Sequence, residues 1–439
     1  MSGTKFPARL VLLGALGLSA LLAAWPASGD TAAAASAAPA SSSSEAAVSA
    51  PLIRPLWQAA TNGSGLYSDF MPEINGMVYY ADNQRLVAAE LRTGKIRWSV
   101  REGGRPEAMT ANSLFYLSRT REVVKVDART GKRIWSVKPP LRPSDAGSYL
   151  QLVNGTLLFS NEGMGLAAFN PVTGALLWSN SQLDLYAGGP FGQFGKILMV
   201  SGTIDNVSRH WFGLNAARGT ELWSLKGPYD ILGSYKGGLL LRENTSLAIQ
   251  QSKKAVPGNL VSLYRLNPLN GGLAPVGRYI PVSDLRRMAN YSNTLEGSSL
   301  YSVDGDLDQG DAILRRYDLD SAGQASPVSY EQYGTWVAGP AQGLALFSGG
   351  NSLIGLRLAD GSRIDYGRFP AAFTRVQIID SLVVAGLADG SVYVMNAGTG
   401  QAIGRIQTGD AEFGNVAVRE GVLLIPTEKK LLAVKVGSR

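Results

Sequence analysis

The feature that most constrains this chain is a segment that keeps returning. From Leu86 it reads LVAAELRTGKIRWSV, from Val123 VVKVDARTGKRIWSV, from Leu166 LAAFNPVTGALLWSN and from Trp211 WFGLNAARGTELWSL. Each copy joins a strand-forming stretch to a turn ending in glycine and then to a strand carrying tryptophan. Trp98, Trp135, Trp178 and Trp223 all fall four residues after that glycine. Weaker copies start at Leu263, Leu314, Leu353 and Val392, and a bare strand LLAVKV starts at Leu431. The turn glycines Gly94, Gly131, Gly174, Gly219, Gly271, Gly323, Gly361 and Gly400 stand 37 to 52 residues apart, the length of one four-stranded unit.

Two further strands precede each copy. In the first unit residues 69–73 lead into a turn at Asn75-Gly76 and then GMVYYAD; in the second, residues 107–112 lead into SLFYLS. Glycine supplies the positive φ that a tight hairpin turn demands. An indole at a fixed point of every outer strand is placed to cover the next unit, so the tryptophans are read as staples between units. The ends of the repeat explain each other. Residues 412–436 supply three strands and stop, while residues 52–58 form an orphan outer strand with Trp57. Pairing the two removes two open sheet edges. The expected fold is therefore all-β: a closed β-propeller of eight or nine four-stranded antiparallel blades, its ring closed by the N-terminal strand on the last blade. Nine units are counted, eight is the usual number for such repeats, and residues 228–332 are the most divergent.

Composition supports short strands over long helices or disorder: apolar residues make up 45% and charged residues 17% of the chain, with 52 Gly to serve the turns. Residues 1–29 carry Lys5 and Arg9, an apolar run and Ala27-Ser28-Gly29, the pattern of a cleaved signal peptide. An uncleaved anchor is the alternative. Residues 30–51 are almost wholly Ala, Ser, Pro and Thr, which offer little to bury, so they are expected to form a disordered tether. The propeller is assigned to 52–436. The formal charge of +7 falls to about +5 without Lys5 and Arg9, and with no dense basic cluster elsewhere nucleic acid is not an expected partner. A monomer without a membrane span after signal cleavage is expected.

Chemistry is sparse. Cysteine is absent, which excludes disulfides, thiolate metal sites and a lipidated cysteine. His210 is the single histidine, so multi-histidine metal sites are excluded and a surface or loop position is expected for it. One segment stands out: Asp304, Asp306, Asp308 and Asp311 put four carboxylates in eight residues of a hairpin loop. Carboxylates spaced by glycine can curl round a Ca²⁺ ion. The alternative is a solvated acidic tip.

The signature, fullest in Val126-Asp127-Ala128-Arg129-Thr130-Gly131-Lys132-Arg133-Ile134-Trp135, resembles the PQQ-like propeller repeat. The signal peptide, the orphan Trp strand, the first blade and the ending on a third strand together resemble the outer-membrane assembly lipoproteins of the BamB family. That resemblance implies a periplasmic, non-catalytic scaffold whose partners are envelope or outer-membrane proteins. The chain departs from the family in lacking the lipid-attachment cysteine, and Leu239-Leu240-Leu241-Arg242 only loosely matches the family's basic, leucine-flanked contact stretch. A PQQ-dependent quinoprotein dehydrogenase is the enzyme alternative. Such enzymes use Ca²⁺, a catalytic carboxylate and commonly a cysteine pair, and no such set is found in the sequence. A wall- or S-layer-associated structural protein is the third reading. Apart from Ca²⁺ at the acidic loop, no cofactor is expected.

Overall fold

The second and third strands of most units are apolar on both faces. Residues 382–387 (LVVAGL) and 165–169 (GLAAF) are buried at every position, as they must be when each sheet is sandwiched between two others. Outer strands instead alternate, as in Glu221–Lys226. The computed structural model describes residues 47–63, 66, 68, 70–82, 85–101, 103–141, 147–161, 165–183, 188–203, 209–227, 229–243, 261–279, 293–304, 312–321 and 327–436. These form nine four-stranded antiparallel sheets arranged as a β-propeller, with one short 3₁₀ turn at Glu331–Tyr333.

Blade 1 runs through Glu73–Ile74, Met77–Ala81, Arg85–Glu90 and Ile96–Arg101, from innermost to outermost. Blades 2 to 8 repeat the order over 108–137, 148–180, 190–226, 229–279, 293–329, 335–368 and 373–407. Blade 9 takes Ala417–Arg419, Val422–Pro426 and Lys430–Lys435 from the C-terminal end and closes with Trp57–Ala60 from the N-terminal end. The divergent stretch therefore holds two ordinary blades, and the count is nine.

The core confirms closure. Nine apolar clusters of described residues each straddle one junction between neighbouring blades. The last joins Val422, Leu424, Leu431 and Ala433 to Val78, Ala89 and Leu91, blade 9 to blade 1.

The closing strand sits later than expected. Trp57 pairs with Ala433 and Ala60 with Lys430, whereas Leu52 bridges Arg405 of blade 8 in parallel. Upstream, Val48 N–H donates to Arg368 O of blade 7 at 2.7 Å, and Ile53 N–H donates to Arg405 O at 2.8 Å. Residues 48–60 thus form a strap across the outer edges of blades 7, 8 and 9. Gly404, four residues after its turn glycine, stands where blades 1 to 4 carry tryptophan, and a Cβ there would collide with Ile53. The strap supplies the missing side chain. The end of the Ala/Ser segment, residues 47–51, lies against blades 7 and 8, with Val48 and Ala50 packed on their shared core.

Candidate functional site

Up-and-down strand order assigns the loops to two ends of the ring. Turns between first and second strands, and between third and fourth, share one end; loops between second and third strands share the other with the blade-to-blade connectors. The first end is tight. Asn75 and Gly76 have φ of 52° and 73°, and Asn154 and Gly155 have 44° and 77°, the paired positive values of a type I′ hairpin.

This tight end also carries the staples. Trp57 Nε1–H donates to Leu91 O at 2.7 Å, Trp98 to Ala128 O at 2.9 Å, Trp135 to Val172 O at 3.0 Å, Trp178 to Ala216 O at 2.9 Å and Trp223 to Pro268 O at 3.1 Å. Each acceptor belongs to the turn between third and fourth strands of the next blade. The turn glycine lets that loop lie flat on the indole: a Cβ on Gly174 would come within 2.8 Å of Trp135, and one on Gly271 within 2.8 Å of Trp223. In blade 7 Tyr366 takes the role, its hydroxyl donating to Ala397 O of blade 8 at 2.7 Å. The structural reading of the tryptophans holds.

The connector-bearing end is different, because several polar side chains are brought together there. Arg242 reaches Asp230 at 3.4 Å within blade 5 and donates to Asn293 Oδ1 of blade 6 at 3.3 Å. Arg315 Nε lies 3.1 Å from Asp304 Oδ2, which also accepts the Tyr317 hydroxyl at 3.2 Å. Arg375 of blade 8 donates to Asn415, at the entry to blade 9, while Gln377 donates to Gly414 O at 2.8 Å and accepts from Val416 N–H at 3.0 Å. Glu107, entering blade 2, accepts the Leu150 N–H of blade 3 at 2.6 Å. Burial pushes its carboxyl up to about 7 against the opposing pull of that N–H and of Arg105. Burial in turn lowers the Arg105 guanidinium.

These groups act as polar clamps. Three of the four sets bridge adjacent blades, at the 2–3, 5–6 and 8–9 junctions, and the fourth braces blade 6 internally. Sequence reading missed them because their partners stand up to 51 residues apart. The one available signal was a charged or amide residue at the connector end of an otherwise apolar inner strand, as in GLLLRE.

The acidic segment divides. Asp304 is not on a loop tip: it ends the strand Ser299–Asp304, is 1% exposed and pairs with Arg315. Asp306, Asp308 and Asp311 lie outside the described residues. Among the described residues no group of three or more His, Cys, Asp or Glu side chains could hold a metal ion. His210 corrects another expectation. It is 7% exposed in the third strand of blade 4, its ring 4.0 Å from that of Phe212, because a third strand is covered by a neighbouring blade on each face.

Residues 119–275 match the family model described as outer membrane protein assembly factor BamB. No match to a curated protein was found. Among solved structures, BamB from Moraxella catarrhalis aligns with a TM-score of 0.44 and 12% identity, over 88% of this chain and 100% of its own. The computationally designed Ika8 protein gives 0.46 and 10%, over 76% and 98%. The quinohemoprotein alcohol dehydrogenase ADHIIG from Pseudomonas putida HK5 gives 0.42 and 13%, over 84% and 76%. The repeat read from the sequence is thus the PQQ-like propeller repeat, matched through the BamB family model over residues 119–275.

Proposed function

We propose that this chain is an exported, non-catalytic scaffold of the cell envelope that binds other proteins, in the manner of BamB. The observation that carries the reading is the match of residues 119–275 to the BamB family model. The polar clamps at the connector end support it. Arg242, Arg315, Arg375 and Glu107 are each held by a partner of the protein's own, mostly across a blade junction, an arrangement suited to rigidity. No helix among the described residues is long and apolar enough to cross a membrane.

The test is affinity capture of the full chain from cross-linked envelopes, with a dye-linked oxidation assay in PQQ and Ca²⁺ run beside it. Reproducible enrichment of an envelope protein, with no oxidation of alcohols or sugars, is the expected outcome. Turnover in the second assay would replace the scaffold by a quinoprotein enzyme.

A further inference from the structure

The charge of this chain is concentrated on two of its nine blades. Residues 82–138, most of blade 1 and all of blade 2, carry thirteen Lys and Arg against six Asp and Glu. That net of +7 equals the net of the whole chain, so the other 382 residues sum to zero. The density is easy to overlook in the sequence because the residues are spread over strands, turns and connectors.

A cleft of about 860 Å³ opens on the rim beside this region, at the junction of blades 9 and 1. One wall is the closing strand at Gln58–Ala60; Arg85, Ile96 and Arg101 of blade 1, with Arg119 of blade 2, form the other. Asp82, 2.6 Å from Arg85, is the one carboxylate among the lining side chains against three guanidinium groups, so arginine outnumbers acid there. Ile96 is 50% exposed and gives that wall an apolar spot. Gln58, Ala59 and Ala60 on the opposite wall belong to Trp57–Ala60, the outermost strand of its sheet, with none beyond it among the described residues.

The protein fills the two preceding places on the same rim with its own extended backbone. Val48 lies on the outer edge of blade 7, and Pro51 to Ile53 bracket Arg405 on the outer edge of blade 8 with bonds of 2.9 and 2.8 Å. The strap then becomes the outer strand of blade 9. The next edge in this series is that of Trp57–Ala60, whose residues 58–60 line the cleft.

We propose that the cleft docks an extended acidic segment of a partner protein. The segment continues the strap's edge pairing along Gln58–Ala60 and sets its carboxylates against Arg85, Arg101 and Arg119. A strand presents alternate residues to one side, and guanidinium forks match carboxylates in two parallel hydrogen bonds. An anionic lipid surface would use the arginines but not the strand edge, which is why a peptide is favoured. The proposal rests on the scaffold reading and narrows the partner's chemistry.

The probe is a fluorescein-labelled nonapeptide of alternating Val and Asp, followed by anisotropy with the full chain. Comparators are the Val/Lys peptide, the Val/Asp peptide N-methylated at alternate residues, and phosphatidylglycerol vesicles. Arg101→Glu with Arg119→Glu should weaken binding at least tenfold, and N-methylation should do the same. Arg218→Glu with Arg363→Glu, an equal charge change elsewhere, should leave it within twofold. Melting curves and circular dichroism check that both variants fold. Equal binding by the cleft variant, equal binding of the Val/Lys peptide, or a response confined to vesicles would overturn the proposal. If the peptide fails while envelope proteins are still captured, the cleft assignment falls and the scaffold reading stands; failure of both sinks both.

Discussion

Replacing Trp57 by alanine tests ring closure at its weakest joint. The indole is half-buried, lies on Gly94 and donates to Leu91 O at 2.7 Å. A buried tryptophan covers about 150–250 Å², so half of that at about 25 cal/mol per Å² gives 2–3 kcal/mol. The lost hydrogen bond adds about 1 kcal/mol. The expected loss in urea unfolding is therefore about 3–4 kcal/mol. Trp98→Ala removes nearly the same local contacts, since Trp98 lies on Gly131 and donates to Ala128 O at 2.9 Å. Its strand, however, is tied to its own blade by a hairpin, whereas Trp57–Ala60 pairs with Lys430–Lys435 from the far end of the chain. Thermolysin should therefore cut Trp57→Ala within residues 52–58 under native conditions and leave that stretch intact in Trp98→Ala. A loss below 1 kcal/mol, or identical digestion of the two variants, would refute the closure argument.

Gly174→Ala should cost about 2 kcal/mol by chemical denaturation, because φ is +76° and the new Cβ meets Trp135 at 2.8 Å, whereas Gly361→Ala, at +72° with open space around it, should cost about 1 kcal/mol. Glu107 has a folded value raised to about 7 from 4.5, so its contribution is fully present below about 4.5 and is lost as pH rises through 7. Melting temperature should fall over that window, and Glu107→Gln, which keeps an acceptor for Leu150, should remove up to about 3 kcal/mol of the decline. Asp304→Ala should cost about 3 kcal/mol by leaving Arg315 buried opposite an apolar group, and adding Arg315→Met should restore most of it in denaturation curves.

Legibility from sequence followed the distance between partners. The turn glycine and the tryptophan four residues on define blades 1 to 4 because both act within one hairpin, and the staple follows from their spacing. Closure was legible from an orphan strand and an incomplete blade, but its register was not: residues 52 and 57 both read as outer-strand positions, and only the neighbouring edges decide that Leu52 meets Arg405 while Trp57 meets Ala433. The blade count was obscured by connections of 17 and 13 residues, 244–260 and 280–292, in the divergent stretch. Asp304 was grouped with a loop because a carboxylate beside Gly305 reads as a turn; Arg315 across the hairpin keeps it in the strand. The clamps of Arg375 to Asn415 and Arg242 to Asn293 join residues 40 and 51 apart and carry no local signature.

The strap also sets an order of events during synthesis. Trp57 leaves the ribosome long before Ala433, its partner in the closing pair, and until then the strap has no finished edge to lie on. Blades 1 to 8 each pair four consecutive strands and can assemble as they emerge. The growing protein is therefore an open arc with a waiting N-terminal strand, and its ends present unpaired backbone to anything nearby. Any truncation before Lys430 would leave that arc unclosed, so the last strand works as a completeness check: only a chain made to its final blade can lock.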